Sequence, residues 1–134
     1  MMPLRILHAR TVRGAGGGPD KTILKSCEHL ARAGHAAAAF YVLDARGDTA
    51  TLPAAAERAG ARMHVVLEKG PVSLATVRAF RRILAAETPD IVHTHDYKSN
   101  ALAWLCRRRF GYRVIATAHG YNRTTLREVF YYAL

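Results

Sequence analysis

The sequence predicts an α/β domain, a Rossmann-like open parallel sheet with helices on both faces. Three observations carry that reading. Short apolar runs and segments of helical period alternate five times along the chain. Such alternation implies parallel strands joined by right-handed crossovers. The chain has 134 residues, 50% of them hydrophobic, which is enough for one domain with a real core and too apolar for a disordered chain.

Taken in order, Ile6 to Ala9 forms the first strand. A glycine-rich stretch, Arg13 to Gly18, follows, and Pro19 opens a helix, where its fixed φ suits the first helical position. Ile23, Leu24, Cys27, Leu30 and Ala31 recur at helical spacing, and Gly34 supplies a left-handed stop. Ala37 to Leu43 is the second strand and Asp44 to Asp48 a turn. Leu52 to Ala59 is a short helix stopped by Gly60, and Met63 to Leu67 is the third strand. Leu74, Val77, Phe80, Ile83 and Leu84 mark a long helix that Pro89 blocks. Ile91 to His95 is the fourth strand. Ala101, Leu102, Leu105 and Cys106 give the next helix, and Arg113 to Ala118 the fifth strand. A last helix begins near Thr124 or Thr125 and has no stop signal before Leu134. Residues 1–134 are therefore expected to be a single, incomplete domain.

Charge and cysteine usage narrow the setting. Twenty Lys and Arg against 10 Asp and Glu give a net charge of +10, which calls for an anionic partner. The basic clusters Arg78, Arg81, Arg82 and Arg107 to Arg109 are read either as solvated helix ends that offset the helix dipole or as a contact with an anionic membrane surface. Nucleic acid is not expected, because aromatic residues are not interleaved with these clusters. Cys27 and Cys106 fall inside amphipathic helices, with no Cys-x-x-Cys pair, so they read as reduced core thiols in a cytoplasmic protein. The N-terminal apolar run is short and broken by Arg5, unlike a signal peptide, and no stretch approaches the ~20 apolar residues of a membrane span.

Ligands of open parallel sheets bind at the carboxyl ends of the strands. Three loops there stand out: Gly14 to Asp20, His93 to Asn100, and His119 to Arg123. The glycine stretch lies between a strand and a helix N-terminus, where free N–H groups attract an anion such as phosphate. It is not a Walker A loop, because Asp20 precedes Lys21-Thr22. A dinucleotide fingerprint starting at Gly14 fails at Pro19, although Asp44 at the end of the second strand keeps a nicotinamide reading open. His93 and His95 lie two apart on one side of a strand, but a zinc site wants a further ligand, so no metal is expected. One of the two is read as buried in the sheet, and the other, with Asp96, as placed at the strand tip to touch a substrate. His119, at the tip of the fifth strand, is suited to hydrogen-bond a sugar hydroxyl, to act as acid or base, or to cap its loop.

Together these loops resemble the N-terminal domain of glycosyltransferase family 4, which has the GT-B fold. The resemblance runs from about Leu4 to Leu134. It rests on Pro89-Asp90-Ile91-Val92-His93-Thr94-His95-Asp96-Tyr97-Lys98-Ser99, on Ala116-Thr117-Ala118-His119-Gly120-Tyr121, and on Gly16-Gly17-Gly18-Pro19-Asp20-Lys21-Thr22. The family usually has Glu where this chain has Asp20. The resemblance implies a retaining transferase with an acceptor-binding N-terminal domain and a second domain that holds a nucleotide sugar. It needs no resident cofactor and generally no metal. His119 then matches the active-site histidine. Gly16, Gly17 and Gly18 would approach the donor phosphates or the acceptor, and Asp96 and Lys98 match the acceptor-side loop. The implied partners are a nucleotide sugar, a glycan or lipid-linked acceptor, and a donor domain or partner chain outside these residues, without which this chain is expected to be inactive. A non-catalytic nucleotide- or phosphate-binding module is the alternative, and a nicotinamide-dependent oxidoreductase domain a third reading, disfavoured by Pro19.

Overall fold

A computed structural model describes residues 2–71 and 73–119. In chain order the elements are β1 (Arg5–Val12), α1 (Gly18–Arg32), β2 (Ala36–Asp44), α2 (Thr51–Arg58), β3 (Arg62–Glu68), α3 (Leu74–Glu87), β4 (Ile91–Thr94), α4 (Tyr97–Phe110) and β5 (Arg113–Ala116). The strands form one sheet in the order β3-β2-β1-β4-β5, and every neighbouring pair is parallel. This is the doubly wound order, in which the chain reverses direction across the sheet between β1 and β4. The expected Rossmann-like sheet is thus present. The expected helix after Thr124 lies outside the described residues.

The two sheet faces bury different helices. Leu7, Ala9, Phe40, Val42 and Val92 pack with Phe80 and Leu84 of α3 and with Leu102, Ala103 and Cys106 of α4. Val12, Ala39, Tyr41 and Leu43 face the other way, against Ile23 of α1 and Leu52 of α2. Burial on both faces explains why β2 reads as a near-continuous apolar run without alternation. Cys27 and Cys106 are buried free thiols, as expected. Burial pushes the Cys27 thiol up to about 11, which keeps it protonated.

Several boundaries differ from the sequence reading, and each difference has a local cause. β1 continues to Val12 because its last residues pair with Tyr41, Val42 and Leu43. α1 begins at Gly18, one residue before Pro19. β4 stops at Thr94, so His95 is not a strand residue, and β5 stops at Ala116. α4 begins four residues earlier than its apolar period suggests. Asp96 caps it, accepting from the Ser99 N–H at 2.9 Å, so residues 97–100 are the first helical turn and not a loop. Periodicity misses that turn because its side chains, Lys98 and Ser99 among them, are polar yet buried.

Candidate functional site

The switch point between β1 and β4 gathers the sequence-nominated residues. In register, His8 of β1 lies opposite His93 of β4. His95 follows one residue beyond the end of β4, and its ring lies 4.2 Å from that of His93 and 5.2 Å from that of His8, centroid to centroid. His119, beyond β5, is exposed and stacks on His95 at 5.2 Å. Ring nitrogens link three of these in series: His8 Nδ1 to His95 Nε2 at 3.0 Å, and His95 Nδ1 to His119 Nε2 at 2.9 Å. His93 Nε2 meets the Thr117 hydroxyl at 2.7 Å. Burial, then the neighbouring His93, lowers His8 to about 4. Burial, then His93, His8, His119 and Arg10, lowers His95 to about 3. These imidazoles are neutral at pH 7, so each link carries one proton passed from ring to ring.

His95 is the buried histidine of its pair and His93 the half-buried one, although both approach the carboxyl end of the sheet. The sequence nominated His95 and His119 separately, and the fold puts them in contact. It missed His8, because a lone histidine in an apolar strand carries no signal of its own.

Asp20 is the second residue that sequence reading undervalued. Its side chain is 2% exposed and receives Arg10 Nε at 2.6 Å. The Tyr41 hydroxyl also donates to it, at 2.8 Å, and the Gly17 N–H at 2.7 Å. Arg10 in turn reaches the His95 carbonyl at 3.5 Å. One buried carboxylate therefore ties the glycine stretch to two strands and, through Arg10, to the histidine row. It also changes what that stretch can do. The first N–H groups of a helix are the natural anion donors. Here Pro19 has none, those of Asp20 and Lys21 turn back to the Gly17 carbonyl, and that of Gly17 is held by the Asp20 carboxylate. Gly16, Gly17 and Gly18 are exposed, which leaves the Gly18 N–H for a ligand. Gly16 has φ +84°, and a Cβ there would sit 2.8 Å from Asp20 Oδ2 and 2.9 Å from Leu52. Close approach to Asp20 therefore requires that glycine.

Asp96 and Lys98 part company. Both carboxylate oxygens of Asp96 are held by backbone, one by Ser99 and the other by the Thr11 N–H at 2.7 Å. Burial pushes its acid upward against those same hydrogen bonds. Lys98 is buried, donates to the Gly70 carbonyl at 3.3 Å, and lies 3.8 Å from Glu68. It lines a small open cleft at the ends of β1, β2 and β3, together with Arg13, Asp44, Arg46 and Glu68. Asp44 is held by Arg46 at 3.1 Å, and hydrogen bonds from Arg46 lower its acid.

Fold and site together define an α/β domain whose polar side chains converge at the carboxyl ends of the strands, on the β1/β4 switch point. A family model described as "Glycosyl transferase 4-like domain" matches residues 17–133, and the chain belongs to that family. A crystal structure of a protein from the universal stress protein family of Burkholderia pseudomallei is similar at 14% identity over 83% of this chain and 94% of that one. Its TM-score of 0.39 makes the likeness too distant to bear on fold or function. No curated protein matches the sequence.

Proposed function

We propose that this domain forms the acceptor side of a retaining glycosyltransferase that moves a sugar from a nucleotide-sugar donor to a lipid-linked or polysaccharide acceptor. Family membership supports sugar transfer in general. The observation that carries the finer reading is the exposed imidazole of His119, held against His95 at the mouth of the switch point. An imidazole fixed through one nitrogen presents the other to a hydroxyl. In this reading His119 touches the transferring sugar and His95 orients it. The Gly16 to Gly18 stretch meets the acceptor or the donor phosphates through the Gly18 N–H. Because the Asp20 carboxylate already faces that helix end, a neutral hydroxyl fits there better than a second anion. In the neighbouring cleft Lys98 faces Glu68 and Arg46 pairs with Asp44, so the net positive charge of its lining is that of Arg13. Asp96 supports the site by capping α4. Donor binding falls to a second domain or chain, since transfer needs both substrates held in one geometry.

The test is a transfer assay over a panel of nucleotide sugars and glycan or lipid-linked acceptors, with this chain joined to its donor-binding domain. His119→Ala is expected to lower kcat by about a hundredfold with little change in KM, as for a contact made mainly in the transition state. Wild-type turnover in that variant would remove His119 from the chemistry. Arg13 in that cleft favours one other reading, a non-catalytic phosphate-binding module. Nucleoside diphosphate binding with no transfer to any acceptor would select it.

We further propose a cytoplasmic, peripheral membrane location, supported by the +10 charge and by exposed Trp104 and Leu105 beside Arg107 and Arg108 on α4. Co-sedimentation with anionic vesicles should then fall as salt rises. Absence of binding at low salt would sink it.

A further inference from the structure

The parallel pairing of β1 with β4 sets His8 beside His93, and the chain turns His95 back over both. One ligand-capable nitrogen from each of these rings lies within 4.8 Å of the other two. His8 is 2% exposed, and its Nε2 has no hydrogen-bond partner among the described residues. The nitrogen of His8 that faces the other rings is Nδ1, 3.0 Å from His95 Nε2.

We propose that His8, His93 and His95 form a binding site for one late first-row divalent ion of the zinc, cobalt or nickel class, with a further coordination position open towards His119. Three imidazoles make a nitrogen-only ligand set, which selects these ions over Mg2+ and Ca2+, whose preferred ligands are oxygens. A tetrahedral ion with bonds of about 2.0–2.1 Å needs its nitrogens roughly 3.3 Å apart. The three nitrogens, within 4.8 Å of one another, have to close towards that spacing, and the 3.0 Å contact between His8 Nδ1 and His95 Nε2 opens slightly as the ion replaces their shared proton. The outer layer is already in place. Thr117 holds His93 Nε2 and His119 holds His95 Nδ1, which fixes each ring and leaves its opposite nitrogen for the ion. The ion would join β1 to β4 at the switch point, and its open position would accept water or a substrate oxygen. The site stands on side-chain geometry alone and does not depend on the proposed transfer reaction.

Co2+ titration of the chelator-treated full chain is the test. One equivalent should bind with the intense visible absorption of four-coordinate cobalt, and Zn2+ should displace it. His8→Gln and His93→Ala should each weaken binding by at least tenfold, and His119→Ala by about 10–100-fold as an outer-layer change. His64→Ala, whose ring instead pairs with Glu87, should bind normally. Should a variant fail to fold, imidazole 15N resonances of the unmutated chain decide the question. Zn2+ must shift those of His8, His93 and His95 and leave His29 and His35 in place. No cobalt band, unchanged binding in folded His8→Gln and His93→Ala, or zinc shifts confined to other histidines would overturn the site.

Discussion

The Asp20 carboxylate serves three partners while almost fully enclosed. Arg10 balances its charge, Tyr41 donates a hydroxyl proton, and Gly17 donates from the backbone. Tyr41 is itself held well above the usual phenol range, first by burial and then by Asp20, so it donates at every working pH. Removing one side of a buried ion pair strands the other, at a cost of roughly 3–5 kcal/mol. Asp20→Asn keeps the volume but removes the charge and misplaces a donor toward Arg10. We expect it to lower stability by about 3 kcal/mol, read as an earlier urea midpoint. A midpoint shift worth under about 0.5 kcal/mol would reduce Asp20 to a surface-like contributor. The same contacts explain why a carboxylate follows the glycines. It neutralises Arg10 and satisfies the helix start from inside.

On the scale of the element, α4 is decided at its first turn. Its apolar period begins only at Ala101, and the preceding turn is polar. Asp96 makes that turn possible by accepting from Ser99, while the Ser99 hydroxyl lies 3.3 Å from the Asp96 N–H. Its second oxygen receives Thr11, which fastens the end of β1 to the start of α4. Losing such a cap costs about 1–2 kcal/mol. Asp96→Ala should therefore lower stability by that amount, and Asp96→Asn, which retains an acceptor, should recover at least half of it in the same thermal melts. Two variants of equal, undiminished stability would leave Asp96 free for the acceptor-binding role that the family resemblance implies.

For the molecule as a whole, the histidine row makes folding sensitive to mild acid. In the unfolded chain these imidazoles take up protons near pH 6.5. In the folded chain His8 resists until about 4 and His95 until about 3. The groups around them are His93, His119 and Arg10, none of which supplies a negative charge to hold a proton. Between those values the unfolded state binds more protons, so stability rises with pH there. It is fully present above about pH 7 and is lost as the pH falls from about 6.5 towards 3–4. Hydrogen bonds also lower Asp44, Asp48 and Asp90, but that contribution is present above their ordinary value of 3.8 and fades only below it. From pH 6 to 4.5 the histidines set the slope, and Asp96, which burial raises, opposes it by taking up its proton earlier in the folded state. In chelator-treated protein the urea midpoint should drop across it by an amount worth a few kcal/mol, and His8→Gln should flatten the slope. A flat midpoint in the parent chain would show that these rings accept protons without resistance.

The sequence by itself determined the alternation of strands and helices, hence the parallel sheet and the end of it that carries ligands. It also determined the charge and placed His95, His119, Lys98 and the glycines near that end. These are properties of local periodicity and of turn residues, which act over a few positions. What spans longer distances was decided only in three dimensions. His8 is 87 positions from His95, and Asp20 21 from Tyr41. Nothing in local composition marks either contact, because each depends on which strands become neighbours and in which register. The β3-β2-β1-β4-β5 order put β1 against β4 and so assembled the histidine row. The same packing enclosed Asp20 and turned an expected anion-binding helix end into a largely self-satisfied one.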